Sequence, residues 1–371
     1  MIKTPEFYEY LVENNLDTFY GVPDSLLKDI CAYITSKTSP EKHIITANEG
    51  NAVALATGRY MATGRPAVVY MQNSGLGNTV NPLISLADED VYRVPMLLMI
   101  GWRGEPNVHD EPQHVKQGKI TLSLLDTMGI KYLILSDNYQ DELTQAIKYM
   151  QKESKSFAII VKKNTFSKVS LDDENNPFTI TREAALETLL NRIDKNSLIV
   201  STTGKTSREV FELREKSSDT HERDFLTVGS MGHTASIALG ISLSSDKKVY
   251  CIDGDGSLLM HLGGLGIAAK NAKDNFKYIV INNGSHESVG GQPTIGFDLD
   301  LNSILTGLGF SKVFEVSTID QIKHAFDEFD KLSKSVLIIN VKQGSRDDLG
   351  RPTTTPQQNK EAFMKFIQEK E

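Results

Sequence analysis

Cysteine is scarce: Cys31 and Cys251 are the only two in 371 residues, far apart and in no CxxC pair. That excludes a disulfide framework and a structural zinc site, and marks both as small candidates for the core. Positive charge is in deficit, with 40 Lys and Arg against 48 Asp and Glu and a net charge of -8. No global basic footprint for nucleic acid or anionic lipid exists, although a local basic pocket is compatible with this balance. Long apolar runs are missing too. The strongest, VPMLLMIGW at 94–102, falls far short of the roughly 20 residues that a membrane-spanning helix needs. The opening MIKTPEFYEYLVENN has acidic residues where a secretory leader has its apolar core, so a cytoplasmic location is expected.

What is present is an ordinary globular composition, 39% hydrophobic and 24% charged, which excludes disorder as the main state. The length exceeds that at which a single core usually stops growing, so two domains of roughly 150 to 200 residues are expected. Amphipathic helical segments alternate with short β-branched runs that are apolar throughout, the pattern of strands buried on both faces of a parallel sheet. Strands are predicted at 43–47, 66–71, 94–101, 131–135 and 156–161, and helices at 4–15, 49–62, 119–128 and 138–152. Polar, Asn-Pro and charged residues then break every period, and a linker is placed at 166–181. From 182 the alternation resumes, with strands predicted in SLIVS, DFLTV, KVYCID, FKYIVI and SVLIINV. The expectation is an α/β protein of two doubly wound open parallel-sheet domains, 1–165 and 182–371, the second ending in an irregular tail. No period of 20 to 50 residues repeats, which excludes solenoids and propellers.

The most specific motif is Gly254-Asp255-Gly256-Ser257 directly after the strand VYCID, followed by Asn282-Asn283 directly after the strand FKYIVI. In an open parallel sheet, ligands bind outside the carboxyl ends of the strands, so both loops would point into one crevice. A carboxylate and an amide oxygen are hard ligands suited to Mg²⁺ or Ca²⁺, and Mg²⁺ completes its shell with water and substrate phosphates. Taken singly, a DG pair is more often a turn and an NN pair a loop; it is their joint place after two strands that carries the reading. An EF-hand fails because Leu258 and Gly264 stand where its glycine and glutamate should be. A Walker A motif ending in Gly204-Lys205-Thr206 fails because Ile199 stands at its first glycine. Neither Gly264-Leu265-Gly266 nor Gly75-Leu76-Gly77 completes a dinucleotide fingerprint.

GDG followed by NN resembles the cofactor motif of the thiamine diphosphate-dependent decarboxylase superfamily, and the resemblance extends over essentially the whole chain. Ala47-Asn48-Glu49-Gly50-Asn51-Ala52 resembles the superfamily's pyrimidine-domain signature, and Gly229-Ser230-Met231-Gly232 resembles its aminopyrimidine loop. The first domain would then bind the pyrimidine and the second the diphosphate. The resemblance implies that Glu49 is catalytic: its carboxylate, paired with a ring nitrogen, stabilises the imino tautomer whose nitrogen takes the thiazolium proton. The bland alternative is a helix N-terminal charge, worth roughly 0.3–1 kcal/mol. Met231 would be the wedge that bends the cofactor, and Gly204, Gly229, Gly254, Gly256 and Ser257 would complete the cofactor-binding set. Mg²⁺ would be held by the side chains of Asp255 and Asn283 and the backbone carbonyl of Ser285.

The chain has no room for the central domain common in the superfamily. This short form, with segments such as Asp110-Glu111-Pro112-Gln113-His114 and Gly344-Ser345-Arg346, is similar to members acting on a 2-keto acid with an anionic head group. The implied substrate is 3-phosphonopyruvate, within phosphonate biosynthesis, with sulfopyruvate as the alternative; a catalytically silent regulatory subunit is the reading from another class. Arg103, His109, His114, Arg346 and Arg351 are the head-group candidates, each alone more often a solvated charge. A homodimer or higher homo-oligomer is also implied, and no nucleic-acid or membrane partner is expected.

Overall fold

The apolar runs form two six-stranded sheets in which every strand pairing is parallel. The structure, a computed structural model, describes residues 1–169 and 176–369. It divides into two units, one of Met1–Asp173 with His286–Gln292 and the other of Glu174–Ser285 with Pro293–Glu371. The expected linker at 166–181 lies outside the described residues over 170–175. On one side of that gap Thr4 Oγ1 donates to the Ser167 carbonyl at 2.6 Å. On the other, the Lys342 N–H donates to the Ile180 carbonyl at 2.9 Å.

In the first unit the strands are β1 (Phe19–Gly21), β2 (His43–Ile45), β3 (Val68–Gln72), β4 (Leu97–Gly101), β5 (Lys131–Ile134) and β6 (Phe157–Val161), in the order β2-β1-β3-β4-β6-β5. Strands β4 and β6 are buried along their whole length, while the edge strand β5 is half-buried or exposed. Side chains alternate between two cores, as the strand period requires. Val68, Tyr70, Leu97, Met99 and Ile159 face one, and Val69, Met71, Leu98, Ile100 and Ile160 the other.

The second unit contains β7 (Leu198–Ser201), β8 (Asp224–Leu226), β9 (Val249–Gly254), β10 (Phe276–Asn282), β11 (Lys312–Val316) and β12 (Ser335–Asn340), in the order β11-β12-β10-β9-β7-β8. Numbered within its own unit and read from the opposite edge, this is the same order as in the first. Each chain run reverses direction beside its first strand, between β1 and β3 and between β7 and β9, which is the switch point where such sheets bind ligands.

Among the described residues, ten of the twelve strands coincide with predicted ones; β1 and β11 do not. The helix predicted at 119–128 begins earlier, spanning Pro112–Thr127, with Pro112 at the first helical position where its missing N–H costs nothing. A helix at Lys28–Lys37 was not expected. Both cysteines are fully buried and unpaired. Among the described residues no helix is long and apolar enough to cross a membrane.

Candidate functional site

Beyond β2 the chain turns to Asn48, whose side chain accepts the Asn51 N–H at 3.1 Å and caps the helix Glu49–Thr63. That cap places Glu49 at the first helical position, where the helix dipole favours a carboxylate. Its side chain is not the solvated charge of a surface helix end. It is 5% exposed and accepts a hydrogen bond from Asn78 Nδ2 at 2.7 Å. Gly75, in the turn Asn73–Gly75 after β3, packs directly on it, and a Cβ at that position would overlap the carboxylate. Asn73 ties this turn to the end of β4, donating to the Arg103 carbonyl at 2.8 Å and accepting the Arg103 N–H at 3.2 Å.

Arg103 follows β4, as its place in the sequence requires, but its guanidinium is already engaged, by Asp110 of its own loop and by Ser25 after β1. Nε donates to Asp110 Oδ2 at 2.8 Å, Nη2 to Asp110 Oδ1, and Nη1 to Ser25 Oγ at 2.8 Å. Burial pushes the Asp110 carboxyl up, and the hydrogen bonds from Arg103 and the Gly104 N–H outweigh it, holding the group at about 2. His109 is exposed. His114 is half-buried with Nδ1 lacking a partner, and burial together with Arg103 lowers its pKa to about 4. Asp24, fully buried after β1, was not singled out by the sequence; burial pushes it up to about 6 against the Leu26 N–H, which it accepts at 3.0 Å.

In the second unit the predicted residues gather at the carboxyl ends of β7 to β10. Gly204, with a φ of 86°, caps the helix Lys205–Ser217 after β7. Gly229 and Met231 lie half-buried after β8. Gly254 closes β9, and Asp255 opens the short helix that contains Gly256 and Ser257. Ser257 Oγ accepts the Gly232 N–H at 3.1 Å and donates to Asp253. The serine therefore braces the Gly229–Gly232 loop against the GDG loop. Asp253 anchors the brace, accepting also from Tyr278 Oη and the Gly254 N–H, each at 3.0 Å.

Asp255 is 2% exposed, Asn283 5% and Ser285 8%. The Asp255 donors are neutral: the Thr294 hydroxyl, the Asn283 N–H at the long distance of 3.5 Å, and the N–H groups of Asp255 itself and Gly256. Burial pushes its carboxyl up to about 6 against those bonds. The Asn283 amide oxygen accepts the Ser285 N–H at 3.1 Å, turning the loop back after β10. Asn282 is a brace between loops: Nδ2 donates to the Gly296 carbonyl and to Asn340 Oδ1, each at 3.0 Å, and Oδ1 accepts the Gly284 N–H at 3.3 Å. Among the described residues no group of three or more His, Cys, Asp or Glu forms a metal cage. A site of one carboxylate, one amide and one carbonyl is of a different kind.

Arg346 lies on the C-terminal stretch, paired with Glu183 at 2.9 Å, with Asp348 at 2.8 Å and with Glu212. Glu212 also accepts the Gly350 N–H at 2.5 Å, and Arg351 next to it is exposed. The structure thus brings together Asp255, Asn283 and Ser285 in one unit and surrounds Glu49 with Asn78 and Gly75 in the other. The roles of Asn78 and Thr294 carry no local signal in the sequence, because their partners Glu49 and Asp255 are distant along the chain.

Comparison with known proteins adds a frame. Residues 6–128 match the family described as thiamine pyrophosphate enzyme, N-terminal TPP binding domain, and residues 202–341 match thiamine pyrophosphate enzyme, C-terminal TPP binding domain. The chain is 31% identical to a phosphonopyruvate decarboxylase of Streptomyces viridochromogenes, over 99% of this chain and 95% of that one. It is 30% identical to a phosphonopyruvate decarboxylase of Streptomyces hygroscopicus, over 100% and 95%. A sulfopyruvate decarboxylase of Methanosarcina acetivorans is 27% identical over 90% of this chain and 89% of its own.

Proposed function

This chain belongs to the thiamine pyrophosphate enzyme family, and from that premise we propose that it is a thiamine diphosphate- and Mg²⁺-dependent decarboxylase converting 3-phosphonopyruvate to phosphonoacetaldehyde and CO₂. The observation that carries the reading is the full-length likeness to two phosphonopyruvate decarboxylases. The buried carboxylates Glu49 and Asp255, each in one of the two matched domains, support it as candidates for the two halves of a cofactor site. Sulfopyruvate is the second reading, favoured by the lower but still nearly full-length identity to the sulfopyruvate enzyme.

The donors fit a hard divalent cation. Asp255 is a buried carboxylate met by neutral donors, so its charge lacks the compensation that a buried ion requires, and a cation at that oxygen would supply it. Asn283 and the Ser285 carbonyl add neutral oxygens, leaving positions for a diphosphate. When bound, thiamine diphosphate supplies the electron sink for the pair released with CO₂. Glu49 would pair with the aminopyrimidine ring nitrogen, held in place by Asn78 and Gly75. Met231 would press on the cofactor from a loop braced by Ser257 and Asp253.

The deciding experiment is a panel of phosphonopyruvate, sulfopyruvate and pyruvate assayed side by side with thiamine diphosphate and Mg²⁺. A kcat/KM highest for phosphonopyruvate is expected; preference for sulfopyruvate would install the second reading, and inertness toward all three in cofactor-loaded protein would favour a silent subunit.

The same panel sorts the basic residues. Arg103 and Arg346 are neutralised by carboxylates of their own unit, so Ala at either position is expected to lower Tm and to reduce all substrates alike. Arg351, on the exposed stretch after β12, is the head-group candidate of the second unit put to this test. Arg351→Ala should cut kcat/KM for phosphonopyruvate by about one to two powers of ten relative to pyruvate, the effect of losing a charged hydrogen bond. Equal losses for both substrates would remove Arg351 from that role.

A working unit of at least two copies is part of the proposal, with Glu49 of one copy and Asp255 of another completing a site. Mixing inactive Glu49→Gln and Asp255→Ala chains should then restore part of the activity. No recovery after confirmed subunit exchange would place both residues of each site in one chain.

A further inference from the structure

Thr294 is joined to both loops that carry the Mg²⁺ donors. Its N–H donates to the Gly284 carbonyl at 2.9 Å, and the neighbouring Pro293 forms an antiparallel bridge with Ser285. Its hydroxyl accepts the Gly296 N–H at 3.1 Å and lies against Asp255 Oδ2. A hydroxyl has one proton, and the Gly296 N–H occupies a lone pair, so that proton is directed to Oδ2. The platform beneath is fixed as well. Asn282 holds the Gly296 carbonyl, and a Cβ at Gly296 would lie 2.8 Å from Asp255 Oδ2. Oδ2 thus carries the short bond from the Thr294 hydroxyl and Oδ1 only the long one, 3.5 Å, from the Asn283 N–H, so of the two oxygens Oδ1 is the better placed to face a cation.

We propose that Thr294 is a positioning residue that holds Asp255 as a one-oxygen ligand and thereby sets both the affinity of the site and its preference for Mg²⁺ over Ca²⁺; the inference rests on the Mg²⁺ reading above. Mg²⁺ demands near-ideal octahedral geometry, whereas Ca²⁺ accepts a carboxylate through both oxygens. Freed from Thr294, the Asp255 carboxylate can rotate and offer both. Groups that orient a ligand in this way are typically worth 10–100-fold in metal affinity.

The test uses the full chain with thiamine diphosphate present, titrated with Mn²⁺ and followed by electron paramagnetic resonance, with Mg²⁺ and Ca²⁺ as competitors. Thr294→Val is expected to raise the Mn²⁺ concentration for half-saturation about 10–100-fold and to shift competition toward Ca²⁺. Thr294→Ser should stay close to wild type in both respects. Thr294→Ala, which also lacks the hydroxyl, carries the test if the valine variant does not fold by circular dichroism. Wild-type affinity and selectivity in the hydroxyl-free variants, with binding lost in Asp255→Asn, would overturn the role of Thr294 and leave the site reading intact. Weakened binding with unchanged Ca²⁺ discrimination and no rescue by serine would also overturn it, as a merely structural effect. Wild-type Mn²⁺ binding by Asp255→Asn would instead sink the reading of the site itself.

Discussion

Asp255→Ala is expected to lose cofactor retention, with Mg²⁺-supported binding of thiamine diphosphate weakened by more than about 100-fold, since removing a direct ligand should exceed the effect of removing a group behind it. The side chain is 2% exposed at the carboxyl end of β9 and is the only carboxylate among the three residues assigned to the cation. Asn283 and Ser285 would contribute only neutral oxygens, which cannot balance a divalent charge. Calorimetric titration of the cofactor-free protein, with and without Mg²⁺, measures the effect directly. Wild-type affinity in the variant would show that the GDG loop has been misassigned. A second measurement separates binding from stability. Burial without a cation pushes Asp255 up to about 6, so near neutral pH its charge costs stability in the unliganded state. The isosteric Asp255→Asn should therefore melt no lower than wild type when cofactor-free, while gaining nothing on addition of cofactor and Mg²⁺. Stabilisation by ligand that is lost without loss of intrinsic stability is the signature of a site retained for binding.

Strand ends made most of this site legible in the sequence. Asp255, Asn283 and Glu49 each follow an apolar run or open a capped helix, so their placement depends on neighbours a few residues away. The same logic recovered ten strands but not β1, which is only Phe19–Gly21 yet lies between β2 and β3 inside its sheet. Three residues leave too little pattern to read. Strand β11, at an edge, buries only Val313 and Val316, and so lacks the continuous apolar run by which its neighbours were recognised. In the site, what escaped the sequence are the supports. Asn78 reaches Glu49 from another helix, Gly75 is defined by a carboxylate it must clear, and Thr294 reaches Asp255 from a loop beyond β10. The NN pair shows the limit well: its second residue donates its N–H to Asp255 at 3.5 Å, whereas the first braces Gly284 and Gly296. Arg103 and Arg346 illustrate the converse, since an arginine at a strand end reads the same whether it awaits an anion or is already paired with Asp110 or Glu183.

Glu49→Gln is expected to lower kcat by roughly two to four powers of ten, the range for a proton-transfer role, while leaving Mg²⁺-dependent binding of the diphosphate close to wild type. Glutamine keeps the length of the side chain, and its amide oxygen can still accept the Asn78 Nδ2 hydrogen bond that now holds Oε2 at 2.7 Å. It also needs no extra room beside Gly75, where no Cβ would fit. What it removes is the negative charge, which in the proposed role would stabilise a proton on the aminopyrimidine ring nitrogen. The expected loss is in proton transfer and is the same whichever 2-keto acid is the substrate. It is checked without any substrate, by the rate at which the thiazolium C2 proton of bound cofactor exchanges with deuterium after acid quench and NMR. A fall in that exchange rate parallel to the fall in kcat is expected. Exchange at the wild-type rate would mean that Glu49 serves only as a buried charge at the start of its helix. In that case the variant's main effect should be on thermal stability, by about 0.3–1 kcal/mol.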